Sequence, residues 1–474
     1  MLGAVLAAWV PADLAAALEI PEEAACPPFP IDASSGEIQR EEDVVPSPFK
    51  PGTRLDLDEI DVLRNYLPRE VWERRNTFFF EGMQLELGPC YRRYPAAPFF
   101  EQATREHAGQ ARLDDDGNLL DYAGTGLPFP PDTIDETGRD AGWKWAWNYR
   151  YRYQGAGFRG RFRIFHIRRR GRSSEAFEGD IFLLPRHGFP GAEDNQGKSF
   201  ASGGGFKKPT LAKGIKWRQF RSRKADSTYS LPDEVFLFIP QTRRVRRSPP
   251  TGIEGLFMPS YTRGRKADTG QGVIPTGDLQ DLRVIETPDV SISTAEHWRR
   301  GFVGLVIRPN AYRFELLRVQ DVIAPINSNR PGFPDNPNRS YGSSGLSLGS
   351  DRWEIRRAVV IRGNAKDPGD QSVGSVKLWV DALTQQPLYY VSHRSNRRIR
   401  EVGIFMGRYT GDDLSSPAWE GSSDDFGVIQ PVAQTFWVAG DNGWLRESFE
   451  LRSDPPTRGE QRSFTTTHRL QRKK

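Results

Sequence analysis

The sequence predicts an α+β fold dominated by one large antiparallel sheet, and two observations support this. The 46 glycines and 36 prolines make up about 17% of the 474 residues, against a usual share near 12%, so turns are frequent and long helices cannot dominate. Strand-like segments then follow one another without intervening helices, which is typical of an antiparallel meander. These segments are 234–240, 311–319, 352–362, 375–381, 387–394, 402–409, 434–440 and 443–452.

The most regular pattern is "WKWAWNYRYRYQ", in which aromatic residues occupy every second position from Trp143 to Tyr153. Most of the intervening residues are polar or cationic. A period of two predicts a strand with one aromatic face and one polar face. Residues 158–164, "FRGRFRI", repeat the alternation, and the turn-rich residues 154–157 between the two runs predict a hairpin.

Residues 55–75 carry the best helical pattern, because Ile60, Leu63 and Leu67 fall at positions i, i+3 and i+7. Pro68 should break or restart this helix, since proline lacks the backbone N–H that a helix interior needs. The alternating residues 82–88, "GMQLELG", predict a short strand after it.

We expect a single sheet domain, because the strand-like segments form one continuous series. Long loops are expected where Gly, Pro, Ser and Asn concentrate. The expected division is an extended lead-in at 18–52, the domain at 53–460 with loops near 186–232, 248–300 and 325–350, and a basic tail at 461–474.

The N-terminal residues 1–17 have features of a secretory signal: an apolar run from Leu2 to Val10 and small residues from Ala15 to Ala17. The positive n-region is missing, which a start codon placed too far downstream would explain. Two interpretations stay open: an exported protein with a signal-peptide remnant, or a buried N-terminal helix. No run of apolar residues reaches the 18 or so that a transmembrane helix needs.

Two cysteines, Cys26 and Cys90, are too few for a disulfide scaffold. In an exported protein they could form one bridge, which would close a loop of about 64 residues and contribute roughly 4 kcal/mol. Glu23 stands where a lipobox needs an aliphatic residue, so a lipid anchor on Cys26 is not expected.

Charge and motif content argue against a nucleic-acid-binding protein and against an enzyme. The 66 basic and 61 acidic residues nearly balance, and no nucleic-acid-binding module is present. The six histidines are far apart and no CxxC occurs, so no metal site is predicted. Residues 155–160 spell a dinucleotide fingerprint, but a strand pattern follows where that motif needs a helix. We therefore expect no catalytic residues and no cofactor.

The aromatic residues of 143–162 have two interpretations that do not exclude each other. Their rings could pack the core, which is the commoner use of such residues, or line a cavity for an apolar ligand. The residues predicted to line such a cavity are Trp143, Trp145, Trp147, Tyr149, Tyr151, Phe158 and Phe162.

Four segments, in order, resemble a large proteobacterial family known as domain of unknown function 1329. "DAGWKWAWNYRYRYQG" resembles its Trp-Asn and Arg-Tyr segment, and "EVFLFIPQTRRVRRSPP" its strand followed by Arg-Arg-Val-Arg and Pro. "AYRFELLRVQDVIAPIN" resembles the segment that ends in a corner, here Ala324, Pro325, Ile326 and Asn327. "DRWEIRRAVVIRG" with "KLWVDALTQQPLYY" resembles its Arg-aromatic-Glu strand and the hairpin after it. The order and spacing agree from about residue 55 to about residue 450.

The resemblance implies a strongly curved antiparallel sheet, an unclosed barrel with helices on its concave side, as in outer-membrane lipoprotein-sorting-like carriers. It implies a periplasmic, non-enzymatic protein that carries a lipid or another hydrophobic molecule and that could lie peripheral to the outer membrane. It also implies a membrane transporter of the resistance-nodulation-division (RND) superfamily as a partner. The alternative is an envelope adaptor with a packed interior and no ligand. Arg243, Arg244 and Arg246 could contact an anionic head group or a partner, or simply form salt bridges between strands.

Overall fold

Fifteen of the strands in the described part of the chain form a single sheet. The computed structural model describes Cys26 and residues 49–167, 173–185, 197–210, 212–240, 243–247, 255–263, 284–287, 290–293, 304, 306–330, 339–366, 373–412, 427–440 and 444–471. Its strands are β1 (Arg54–Leu55), β2 (Leu85–Leu87), β3 (Arg112–Leu113), β4 (Leu119–Leu120), β5 (Phe158–Ile167), β6 (Ser173–Pro185), β7 (Lys198–Lys208), β8 (Lys216–Ser222), β9 (Glu234–Ile239), β10 (Arg244–Arg247), β11 (Ser260–Arg263), β12 (Val284–Thr287), β13 (Val290–Ser293), β14 (Tyr312–Ala324), β15 (Arg352–Ala365), β16 (Val373–Asp381), β17 (Pro387–Arg394), β18 (Ile399–Tyr409), β19 (Ile429–Val438) and β20 (Trp444–Arg452).

The sheet consists of two antiparallel meanders joined side by side. In the first meander β5 to β10 pair in sequence order, and in the second meander β14 to β20 do so. β20 pairs antiparallel with β5 and so connects the two series. β14 and β10 stand at opposite ends of this order and do not pair with each other, so the sheet is not closed into a barrel. β2 adds the parallel contact at the start of β15. The large, mostly antiparallel and unclosed sheet predicted from the sequence is confirmed.

The helical pattern at 55–75 becomes a 3-10 helix, Ile60–Tyr66, and two short α-helices, α1 (Arg69–Trp72) and α2 (Arg75–Phe78). Pro68 is the N-cap residue of α1, so the helix restarts there as predicted. The other α-helices of the described residues are α3 (Pro98–Glu106), α4 (Ala141–Tyr151) and α5 (Arg458–Thr465). The expected basic tail therefore begins inside α5. None of the described helices is both long and apolar enough to cross a membrane.

The strands of the second meander are covered on both faces. Val359 and Val360 are adjacent in β15, and both are fully buried. Val360 belongs to a hydrophobic cluster with Leu63 and other buried residues of 49–94, which we call the N-terminal layer. Val359 belongs to a different cluster, with Trp147 of α4. Because successive residues of a strand point to opposite faces, the sheet here lies between the N-terminal helices and α4.

The strand predicted at 143–153 is wrong, because residues 143–151 belong to the helix α4. A spacing of two along the sequence also creates i, i+4 pairs, and Trp147 stacks on Tyr151 with ring centroids 6.0 Å apart. The residues between the rings do not form a polar face: Asn148 and Arg150 are buried and hydrogen-bonded. A helix that is buried all round has no polar stripe that would reveal its period.

The predicted hairpin between 143–153 and 158–164 is therefore absent. β5 starts at Phe158 as expected, but it pairs with β6 and β20. Residues 155–160 run directly into β5, which begins at Phe158, and not into a helix, in agreement with our rejection of the dinucleotide fingerprint.

α4 lies directly against β14. A Cβ atom on Gly142 would lie only 2.4 Å from the carbonyl carbon of Glu315, so only glycine permits this approach. The indole Nε1 of Trp143 donates to the carbonyl oxygen of Tyr312 at 2.7 Å. These contacts fix the helix on the edge strand of the second meander.

Two of the predicted long loops contain strands. β7 and β8 lie within 186–232, and β11 to β13, which form a separate three-stranded sheet, lie within 248–300. The glycines of β7 resemble a loop composition, yet Gly204 is required in the strand because its Cβ would lie 2.4 Å from the carbonyl oxygen of Asp180. The described residues of 325–350 have no strand or α-helix.

Cys26 and Cys90, which the sequence left as a possible pair, are joined by a disulfide. Cys90 is buried in the N-terminal layer of the core. The bridge therefore ties residue 26 to the part of the chain that covers one face of the sheet. Residues 1–17 and most of 18–52 lie outside the described residues.

Candidate functional site

A cavity of about 380 Å³ opens beside α3, and we call it the α3 cavity. Five parts of the chain line it: residues within 93–105, residues within 127–132, Tyr153, the turn 383–386 between β16 and β17, and the facing ends of β18 and β19 with Tyr409, Gly427 and Ile429. Its volume lies within the range of about 300–1,000 Å³ that is usual for small-molecule sites.

The inner wall of the α3 cavity is apolar. Tyr94, Phe100, Leu127, Tyr409 and Ile429 line it and are each at least nine-tenths buried. The rings of Tyr94 and Tyr409 lie 4.9 Å apart between centroids. A wall of rings and aliphatic side chains favours an apolar ligand, because such a ligand exchanges contact with water for contact with this wall.

The mouth of the cavity carries charges of both signs. Arg93 and Arg105 are exposed there, and so are Glu101 and Asp132. Two cations and two carboxylates give no net charge, so the rim does not select strongly for an anionic or a cationic ligand.

α3 reaches its position through a short link to residues 127–132. Pro98 starts the helix at its first turn, where proline needs no N–H partner. The hydroxyl of Thr104 donates to the carbonyl oxygen of Phe100 and accepts from the backbone N–H of Leu127, both at 2.9 Å. A Cβ on Gly126 would lie 2.5 Å from the backbone nitrogen of Thr104, so glycine allows the two segments to meet.

A network of buried polar side chains lies behind the wall of the α3 cavity and contacts Tyr94 and Thr384. The hydroxyl of Tyr94 donates to Glu354 Oε1 at 2.5 Å. Arg356 lies 3.6 Å from Glu354 and donates to both oxygens of Asp381, at 2.7 and 3.1 Å. Thr384, which lines the cavity, donates to Asp381 Oδ2 at 3.0 Å. Burial raises the pKa of Glu354 to about 7, although Arg356 and Tyr94 oppose the rise.

A second ion pair holds the Tyr409 side of the wall. Arg92 pairs with Asp412, and the Nδ2 of Asn327 donates to Asp412 Oδ2 at 2.9 Å. The Oδ1 of Asn327 accepts from the backbone N–H of Tyr409 at 2.9 Å. Burial alone would raise the pKa of Asp412, but the hydrogen bonds from Arg92 and Asn327 lower it. Asn327 belongs to the corner that the sequence resemblance singled out, and it positions the cavity wall.

A smaller cavity of about 30 Å³, which we call the inner cavity, lies next to the α3 cavity. Gln386 and Ile429 line both. Phe405, Met406 and Ala433 make much of its remaining wall apolar. Gln434 also lines it, and its Nε2 donates to the buried carboxylate of Glu447.

The buried Glu447 should make stability depend on pH. Burial raises its pKa from 4.5 to about 8, although Gln434 opposes the rise. Between these pH values unfolding releases its proton, so the free energy of unfolding should fall as pH rises. Glu447→Gln should raise the free energy of unfolding at pH 8 and make it depend less on pH. A smaller dependence should remain below pH 7, because the pKa of Glu354 is raised as well.

Urea unfolding at pH 5, 6, 7 and 8 measures this effect. Glu450→Gln is the matched control, because Glu450 is an exposed carboxylate in the same strand. An identical slope in the wild type and in Glu447→Gln would contradict the assignment.

The seven aromatic residues predicted to line a cavity are not among those that line either of the two cavities described above. Trp143 is half-buried, and the other six are fully buried in the core. The α4 residues belong to one cluster, and Phe158 and Phe162 of β5 belong to another. Tyr153, the last ring of the same run, does line the α3 cavity. A ligand role for the seven residues stays a prediction.

Arg244 and Arg246 lie on β10, the edge strand at one end of the sheet, and Arg243 directly precedes this strand. Arg243 and Arg244 are exposed, and Arg246 is half-buried. None of the three lines the α3 cavity. Their contact with a head group or a partner stays a prediction. The neighbouring Arg247 forms an exposed ion pair with Glu234 of β9 at 2.8 Å.

Sequence reasoning missed most of the site. The lining residues come from five separate segments, and no local pattern marks them as neighbours. Tyr153 and Asn327 were the only signals, the first in the aromatic run and the second in the Ala-Pro-Ile-Asn corner. Among the described residues, no three His, Cys, Asp or Glu side chains are placed to hold a metal ion.

Residues 76–256 match the model of a family described as a protein of unknown function, DUF1329. The predicted family resemblance is confirmed for this segment. The matched segment 76–256 contributes α3, residues 127–132 and Tyr153 to the wall of the α3 cavity. The second meander contributes the opposite side of this wall. None of the curated proteins compared with the sequence matches it.

Three solved structures are distantly similar to the chain. A domain named for outer-membrane lipoprotein sorting, from Vibrio parahaemolyticus, is 13% identical with a TM-score of 0.40, over 71% of this chain and 100% of that chain. A DUF1329 family protein from Desulfovibrio piger is 11% identical with a TM-score of 0.35, over 66% and 92%. A LolA superfamily protein from Nitrosomonas europaea is 11% identical with a TM-score of 0.32, over 68% and 95%.

Proposed function

We propose that this protein binds a hydrophobic small molecule or lipid in the α3 cavity and carries it through the periplasm. The observation that carries the proposal is the cavity of about 380 Å³ with an apolar, largely buried inner wall and a polar mouth. An apolar group gains about 25 cal/mol for each Å² that it removes from water. A molecule that is poorly soluble on its own is thereby kept in solution.

The disulfide supports the proposed periplasmic location. Cys26 and Cys90 are bonded, and disulfides persist in oxidising compartments such as the bacterial periplasm. The features of the N-terminal residues that are typical of a secretory signal agree with export. A transporter of the RND superfamily, as donor or acceptor of the ligand, is proposed from the family resemblance alone.

We propose a role without catalysis. Among the described residues that line the α3 cavity there is no His, Cys or Ser, and so no nucleophile with an adjacent imidazole base. The hydroxyls of Thr104 and Thr384 are both occupied by hydrogen bonds within the protein. The Arg356–Asp381 network lies behind the wall and holds Tyr94 and Thr384 in place.

Filling the cavity tests this function. Ala96 lines the α3 cavity and is half-buried, so Ala96→Trp should occupy part of the space that a ligand needs. We expect the affinity for the apolar fluorophore 1-N-phenylnaphthylamine to fall at least tenfold, while circular dichroism and the melting temperature stay close to those of the wild type.

Ala108→Trp is the matched control, because Ala108 is exposed just beyond α3 and does not line the cavity. It should bind the fluorophore as the wild type does. Equal binding by the wild type and Ala96→Trp would place the ligand elsewhere. A wild type that binds no apolar probe would favour the envelope adaptor without a ligand.

A further inference from the structure

We infer that the ligand is an amphiphile with a single short apolar chain, and that Gln386 and Ile429 form the end wall that limits its length. This inference rests on the proposed function and deepens it. It starts from the two cavities, which share these two residues and are otherwise lined by different side chains.

The volume of the α3 cavity limits the size of the ligand. A methylene group is similar in size to a water molecule, which occupies about 30 Å³ in the liquid. A cavity of about 380 Å³ therefore holds on the order of a dozen heavy atoms. One short chain or one small ring system fits, whereas several long acyl chains do not.

Gln386 is held rigidly in the shared wall. Its Oε1 accepts from the Nε of Arg152 at 2.9 Å. The same guanidinium donates to the carbonyl oxygens of Tyr149 and Gly304, both at 2.8 Å. Arg152 is buried at the end of α4. A chain that pushed Gln386 aside would break a buried hydrogen bond to a cation, which is costly because water cannot replace it.

The inner cavity, which lies behind Gln386 and Ile429, is small and mostly apolar. At the same volume of about 30 Å³ for each methylene-sized group, the inner cavity of about 30 Å³ has room for one such group. Removing the side chain of Gln386 would join it to the α3 cavity and add room for two or more carbon atoms. Ile429 offers the same opening without disturbing Arg152.

The rim indicates the kind of head group. The mouth is lined by the cations Arg93 and Arg105 and by the carboxylates Glu101 and Asp132, so its formal charges cancel. Such a rim suits a zwitterionic or an uncharged head group. A zwitterionic single-chain series is therefore the suitable probe.

The experiment measures chain-length dependence. Alkylphosphocholines with chains of 8 to 16 carbons, below their micelle concentrations, displace 1-N-phenylnaphthylamine from the wild type, Gln386→Ala, Ile429→Ala and Leu127→Ala. Each buried CH₂ group should tighten Kd about fourfold until the chain reaches the wall. We expect the wild type to stop gaining affinity within this series, and Gln386→Ala and Ile429→Ala to gain for at least two further carbons.

Leu127→Ala is the control, because Leu127 lines only the α3 cavity and its removal leaves the wall intact. It should keep the chain-length limit of the wild type. A limit that is unchanged in both wall variants, a limit that moves equally in Leu127→Ala, or a wild type that gains affinity through 16 carbons would each overturn the inference. Failure of the wild type to bind any member of the series or the fluorophore would instead overturn the proposed function. If Gln386→Ala does not fold, Ile429→Ala decides the question.

Discussion

Trp147→Ala should lower the free energy of unfolding by about 3–5 kcal/mol, the usual cost of removing a buried large aromatic side chain. Trp147 is fully buried in α4, its Nε1 donates to the carbonyl oxygen of Gly117 at 3.0 Å, and its ring stacks on Tyr151. Urea unfolding at neutral pH measures the loss. Trp72→Ala is the control, since Trp72 is only half-buried and should cost less.

The same variant separates the two interpretations of the aromatic run. Because Trp147 does not line the α3 cavity, folded Trp147→Ala should bind 1-N-phenylnaphthylamine with the affinity of the wild type. The comparison is made at a low temperature, at which the variant stays folded. A loss of stability below about 1 kcal/mol together with a loss of probe binding would mean that Trp147 contacts the ligand and that the core assignment is wrong.

Asp381→Ala should also cost about 3–5 kcal/mol, because it leaves a buried cation without its partner. Arg356 and Asp381 are fully buried, and the guanidinium donates to both carboxylate oxygens. Glu354, 3.6 Å from Arg356, is then the nearest carboxylate. We expect binding of the fluorophore to weaken as well, since Asp381 accepts from Thr384 of the cavity wall.

Glu315→Ala is the matched control for Asp381→Ala. Glu315 pairs with Arg362 across β14 and β15, but both side chains are nearly half exposed, at 46% and 47%. Exposed pairs of this kind contribute about 0–1 kcal/mol. Equal losses in Asp381→Ala and Glu315→Ala would show that the buried network does not support the fold as described.

The strands of the second meander were predictable because each has its own local pattern. β17 was predicted at 387–394 and begins and ends there, since a run of branched and aromatic residues bounded by turns identifies a buried strand. In the other meander, β9 alternates between buried and half-buried residues, which is the pattern that a period of two describes. With only two cysteines the chain allows a single pairing, but the sequence left open whether that bond forms.

α4 was not predictable from its pattern. Its aromatic residues at every second position satisfy both the strand period and the i, i+4 spacing of a helix. Tertiary burial decides between the two, because α4 is enclosed by β14, β15 and residues 111–134, and its buried polar side chains find partners there. The α3 cavity was equally hidden, because residues as far apart as Tyr94 and Ile429 meet only in the folded chain.

The central claim is that the α3 cavity carries an apolar ligand, and native mass spectrometry tests it most directly. The full-length protein is purified from its native envelope under mild conditions, beside the Ala96→Trp variant, and lipids extracted from both samples are identified. We predict a stoichiometric apolar adduct on the wild type that is absent or strongly reduced in Ala96→Trp. A wild-type mass without an adduct, also after addition of single-chain lipids, would contradict the carrier function.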